Sequence, residues 1–112
     1  MSVVDFKACL NEKELKEGQM KHVQVSGKSI LLVKRGGQIF AVSNICPHEG
    51  CSLDKGVLYE YVVMCPCHGW KFDIRNGQFV ENKVITLATY RCKTENGKIL
   101  VGIADGHSLF SW

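Results

Sequence analysis

The sequence is poor in the features that mark several large classes of protein. Its longest aliphatic run, Ile30-Leu31-Leu32-Val33, stops at Lys34, far short of the roughly 20 apolar residues that cross a bilayer as a helix. No basic segment followed by an apolar stretch opens the chain, so export is not expected and a soluble, cytoplasmic protein is. No cluster of lysine or arginine concentrates the formal net charge of +3, which argues against nucleic acid or a membrane surface as partner. Only two prolines occur, Pro47 and Pro66, and there is no linker, repeat or low-complexity stretch. One domain over residues 1–112 is therefore expected. No nucleophile–base pair, phosphate loop or substrate-pocket motif is visible, so the chain is not expected to be an enzyme by itself.

What is present is mostly β-like. Apolar residues at 46% and charged residues at 22% suit a globular core with a wet surface. Short alternating segments at 3–9, 21–25, 29–34, 38–42, 70–74, 78–80, 83–87, 90–93 and 98–103 read as strands. Ser26-Gly27, Gly36-Gly37, Asn76-Gly77 and Asn96-Gly97 read as the turns between them. Asn11 is expected to cap a helical turn over 12–17, ended by Gly18. The pattern implies an all-β chain, an antiparallel sandwich or barrel. Phe110 and Trp112 in the tail are candidates to pack back on the sheet.

Cysteine and histidine are plentiful, at six and four residues. A disulfide framework would be the usual reading of six cysteines, but no export pattern accompanies it. Cys46, Cys51, Cys65 and Cys67 lie close together, interleaved with His48 and His68, and such clustering favours metal ligation. The two stretches are Cys46-Pro47-His48-Glu49-Gly50-Cys51 and Cys65-Pro66-Cys67-His68-Gly69-Trp70. Each begins Cys-Pro, then offers a histidine, then a glycine. Two such loops facing each other supply two thiolates and two imidazoles. A tetrahedral zinc site is one use of that set.

The spacing Cys-x-His, a gap, then Cys-x-x-His resembles the Rieske family, with Cys46, His48, Cys65 and His68 at the matching positions. The resemblance implies a Rieske-like fold with a small cluster-binding subdomain formed by two loops, about residues 44–72. It also implies a 2Fe–2S cluster in which the cysteines bind one iron and the histidines the other. Neutral imidazoles leave less negative charge on their iron than thiolates would, so the potential rises to roughly −150 to +300 mV. Reduction adds negative charge beside the imidazoles, and the potential is expected to depend on pH.

Cys51 and Cys67 stand where respiratory Rieske proteins carry a disulfide joining the loops, a pair that dioxygenase ferredoxins generally lack. In this the chain is similar to soluble, sulredoxin-like Rieske proteins of archaea. The resemblance implies a Cys51–Cys67 bridge; two free thiols are the alternative in a reducing cytoplasm. The respiratory pattern continues with Gly-Ser-x-Tyr, whereas Gly69-Trp70-Lys71-Phe72 lacks both hydroxyls, so a lower potential than theirs is expected. The proline-rich loop that covers the respiratory cluster is not evident.

The function implied is a soluble one-electron carrier between a reductase and a terminal oxygenase or other oxidoreductase. The alternative is a subunit or regulatory module similar to the small subunit of assimilatory nitrite reductase. Cys9 and Cys92 are expected to be unpaired core thiols, and His22 and His107 surface residues. Trp70 and Phe72 are expected to pack beneath the cluster, while Lys55 and Lys71 are candidates to guide an acidic partner.

Overall fold

The computed structural model describes residues 4–48 and 50–104. Strand β3 (Lys28–Arg35) explains the apolar run. Ile30 and Leu32 point into one core, with Leu15, Val25, Ala41, Ile99, Val101 and Ile103. Leu31 and Val33 point into another, with Val42, Leu53, Val63, Phe72 and both Cys46 and Cys65. A strand buried on both faces reads as a continuous hydrophobic run rather than an alternating one.

Around β3 lies a six-stranded antiparallel sheet of β1 (Val4–Asn11), β2 (Met20–Val25), β3, β4 (Gln38–Ser43), β10 (Thr89–Glu95) and β11 (Lys98–Ala104). Its order is β1-β11-β10-β4-β3-β2. The edge strands β1 and β2 come back into contact, so the sheet curls into an incompletely closed barrel around the first core. The second sheet is the run β5 (Val57–Tyr59), β6 (Val62–Met64), β7 (Lys71–Asp73), β8 (Gln78–Phe79) and β9 (Asn82–Thr86), in sequence order. It packs over the other face of β3. The architecture is all-β, as expected, and β5 and β6 are strands that the sequence pattern did not mark.

The two-residue turns behave as expected where both residues take positive φ. Ser26 and Gly27 are at 51° and 78°, and Asn96 and Gly97 at 52° and 77°, which suits the twist of a hairpin. Asn76-Gly77 differs. Only Gly77 has positive φ, at 79°, and Ile74 leaves β7 to be buried at 1% exposure. The turn is thereby widened: the Gly77 N–H donates to the Asp73 carbonyl (2.7 Å), and the Asn76 side-chain oxygen accepts from the Gln78 N–H (2.9 Å).

The helical turn over 12–17 shrinks to a 3₁₀ turn at Glu12–Glu14, with no side-chain cap from Asn11. The Asn11 amide donates instead to the Glu14 carboxylate (3.1 Å). Leu15, directly after the turn, is buried in the barrel core at 1% exposure. Phe110, Trp112 and His107 lie outside the described residues.

Candidate metal centre

Loop 1, residues 46–51, leaves the barrel at the end of β4 and closes across the antiparallel bridge of Ile45 with Ser52. Loop 2, residues 65–70, closes across the pair of Met64 with Lys71 between β6 and β7. The backbone bonding within the loops is the same. The Cys46 N–H donates to the Cys51 carbonyl (2.9 Å) and the Gly50 N–H to the Cys46 carbonyl (2.8 Å). In loop 2 the Cys65 N–H donates to the Trp70 carbonyl (2.7 Å) and the Gly69 N–H to the Cys65 carbonyl (3.1 Å). Gly50 and Gly69 both sit at positive φ, 76° and 72°, where any side chain is strained.

Both loops are braced from below. Asn44 is 1% exposed, the one fully buried polar side chain among the described residues. Its amide donates to the Asp54 carboxylate (2.8 Å) and its oxygen accepts from the Asp54 N–H (2.9 Å). Its backbone also bonds Ser29 and Leu53. A buried amide with these partners fixes the root of loop 1. Sequence reasoning did not single out this pair. Near loop 2, a Cβ on Gly56 would overlap the Met64 carbonyl oxygen, so only glycine allows the chain to pass there.

The four candidate ligands divide by depth. Cys46 and Cys65 are buried, at 1% and 2% exposure, whereas His48 and His68 are exposed. The imidazoles of the two loops meet edge to face, centroids 4.9 Å apart with planes at 70°. Loop 1 is joined to loop 2 by the Cys51–Cys67 disulfide, Cα atoms 6.4 Å apart, within the usual span for such a bond.

The sulfurs of Cys51, Cys65 and Cys67 lie within 4.8 Å of one another. Cys51 and Cys67 spend their thiols on each other, so that trio offers only Cys65 as a thiolate donor. Two buried thiols and two surface imidazoles on facing loops match the donor chemistry of a cluster with one cysteine-bound and one histidine-bound iron.

Trp70 does more than pack beneath the loops. Its indole stacks on His48 (4.3 Å, planes at 6°) and, on its other side, on Phe79 (4.3 Å, 6°). Phe79 in turn meets Phe72, which is fully buried, at 5.5 Å. Lys55 and Lys71 are exposed nearby in sequence. His22 is also exposed, with its Nε2 2.7 Å from the Ser29 hydroxyl.

Cys9 and Cys92 are half-buried free thiols on the barrel, Cys92 beside Ile39 at the end of β4 away from loop 1. The Cys92 thiol donates to the Ile39 carbonyl (3.0 Å). Burial, and then the neighbouring Cys9, push its pKa up to about 11.

The Rieske [2Fe-2S] domain profile matches residues 5–91, a stretch that includes both loops. The chain belongs to the Rieske family. The ferredoxin component of the alkene monooxygenase system of Xanthobacter autotrophicus is 36% identical to this Rieske domain over 90 residues, 80% of this chain and 74% of the relative. A Ralstonia ferredoxin component of the naphthalene 1,2-dioxygenase/salicylate 5-hydroxylase systems is 32% identical over 95 residues, 84% of this chain and 89% of its own. The solved structure of the carbazole 1,9a-dioxygenase ferredoxin from Nocardioides aromaticivorans IC177 superimposes with a TM-score of 0.80. It has 28% identity and covers 86% of this chain and 95% of its own. No helix among the described residues of this Rieske domain is long and apolar enough to cross a membrane.

Proposed function

We propose that this Rieske protein is a one-electron carrier that takes an electron from a reductase and delivers it to a terminal oxygenase or other oxidoreductase. Cys46 and Cys65 would hold the inner iron of a 2Fe–2S cluster, and His48 and His68 the outer one. The cluster supplies the reversible one-electron chemistry. The protein supplies the setting. Buried cysteine thiols anchor one side, and exposed imidazoles place the other side where a partner approaches. That division of depth is the observation that carries the reading, and the oxygenase-system ferredoxins among its relatives agree with it.

On this reading residues 1–112 form one Rieske domain, with residues of about 44–72 as its cluster-binding part. The protein works in the cytoplasm beside the reductase that feeds it, and passes electrons on rather than transforming a substrate.

Iron and acid-labile sulfide analysis of the purified protein tests the reading, together with electron paramagnetic resonance of the dithionite-reduced form. A brown protein with two irons and two sulfides per chain is expected. A colourless, zinc-containing protein would overturn it. Size-exclusion chromatography with a candidate reductase then separates a transient carrier, which elutes alone, from a tightly held subunit.

A further inference from the structure

Counted from their first cysteines, the two loops contact each other reciprocally. The sixth residue of loop 1, Cys51, is bonded to the third of loop 2, Cys67. The sixth residue of loop 2, Trp70, is stacked on the third of loop 1, His48. Because the loops share one pattern of backbone bonds, the same two positions face each other twice. One crossing is closed by a covalent bond and the other by a pair of parallel rings.

We infer that Trp70 is the positioning residue for His48, doing with a ring stack what Cys51 does for Cys67 with a bond; the inference rests on His48 being a cluster ligand. An exposed imidazole on a loop tip has two side-chain torsions free to turn. Ligation needs the ring held within about 10–20° of its working orientation. The stack occupies the face of the ring and leaves both nitrogens, which lie along its edge, available for an iron and for solvent or a partner.

Trp70 can act as a fixed plate because Phe79 backs it at 4.3 Å, and Phe79 rests on the fully buried Phe72. The orientation of a surface ligand is thereby referred to the core of the second sheet. His68 meets His48 edge on, at 70°.

The test compares the wild-type holoprotein with Trp70→Leu and Trp70→Phe. Iron, sulfide and the Cys51–Cys67 linkage are assayed in each, and the linkage is mapped by mass spectrometry without reduction. Near-ultraviolet circular dichroism of the iron-free wild type against iron-free His48→Ala reads whether the imidazole and the Trp70 indole fix each other without iron, so failure of the carrier reading and failure of this one are separable. W70L is expected to keep the disulfide and iron, yet to give a broadened reduced-state resonance spectrum and a displaced midpoint potential. W70F, which retains a flat ring, is expected to restore the narrow spectrum. Loss of iron from W70L but not W70F supports the same conclusion. Wild-type-like spectrum and potential in W70L, or equal loss of iron from both variants, would overturn it.

Discussion

Leu31 and Leu32 are neighbours in the chain and belong to different cores. Leu31 packs beneath the ligand loops with Cys46 and Cys65, and Leu32 fills the barrel. Both are fully buried. Leu31→Ala and Leu32→Ala are each expected to cost about 2–5 kcal/mol through lost contacts and a cavity, yet with different reach. Amide hydrogen exchange should accelerate at Gly50 and Gly69 in L31A and leave them near wild type in L32A. Equal acceleration in both would show that the two cores loosen together.

The Cys51–Cys67 bridge joins residues 16 apart. A closed loop of that size is worth about 3 kcal/mol in the chain-entropy account. Cys51→Ala is therefore expected to lower the free energy of unfolding by an amount close to that figure, read from the denaturation curve. Adding a thiol reductant to the wild type should reproduce most of the loss and should leave C51A unchanged. A reductant effect of equal size in C51A would place the sensitivity elsewhere.

Cys92 makes stability depend on alkaline pH. Its thiol is held neutral in the fold, with pKa raised from 9.0 to about 11. Below pH 9 the folded and unfolded chains both carry the neutral thiol, so its contribution is fully present. Between 9 and about 11 the unfolded chain ionises first, and the contribution is lost. Comparing urea midpoints of wild type and Cys92→Ala across this window isolates the effect from other groups. The wild-type advantage should shrink as pH rises, and an advantage that stays constant contradicts the assignment.

The reduction potential should fall as pH rises from neutral to alkaline, because the electron adds negative charge and the reduced state then favours the more protonated form. It should also lie below that of respiratory Rieske proteins, since Trp70 and Phe72 carry no hydroxyl to donate toward the sulfurs. Spectroelectrochemical titration at several pH values measures both. A flat profile, or a value at the top of the family range, would count against one or the other.

Much of this molecule was legible in its sequence, for identifiable reasons. The hairpins at Ser26-Gly27 and Asn96-Gly97 were readable because a two-residue turn makes a local demand for positive φ. The two loops were readable because Cys-Pro and a nearby glycine are local as well. β5 and β6 escaped notice because Val57-Leu58-Tyr59 and Val62-Val63-Met64 do not alternate and no glycine turn joins them, whereas the equally short β7 and β8 flank Asn76-Gly77. Asn44 escaped because a buried amide gains its meaning from Asp54, a partner ten residues away that no local pattern announces. The stack of His48 on Trp70 is long-range in the same sense: it exists only once the two loops face each other.

Arg35 ties the two sheets together. Its guanidinium donates to the Glu60 carbonyl in the turn between β5 and β6 (2.8 Å). It also approaches Glu17, whose carboxylate accepts from the Gly36 and Gly37 amides (2.7 and 3.0 Å). This strut joins the two sheets at the ends of β3 and β6 opposite the ligand loops. The two sheets are thus held at both ends, by this polar strut at the heel and by the Cys51–Cys67 bond between the loops at the tip. Reducing the disulfide at the tip therefore leaves the sheets still tied at the heel.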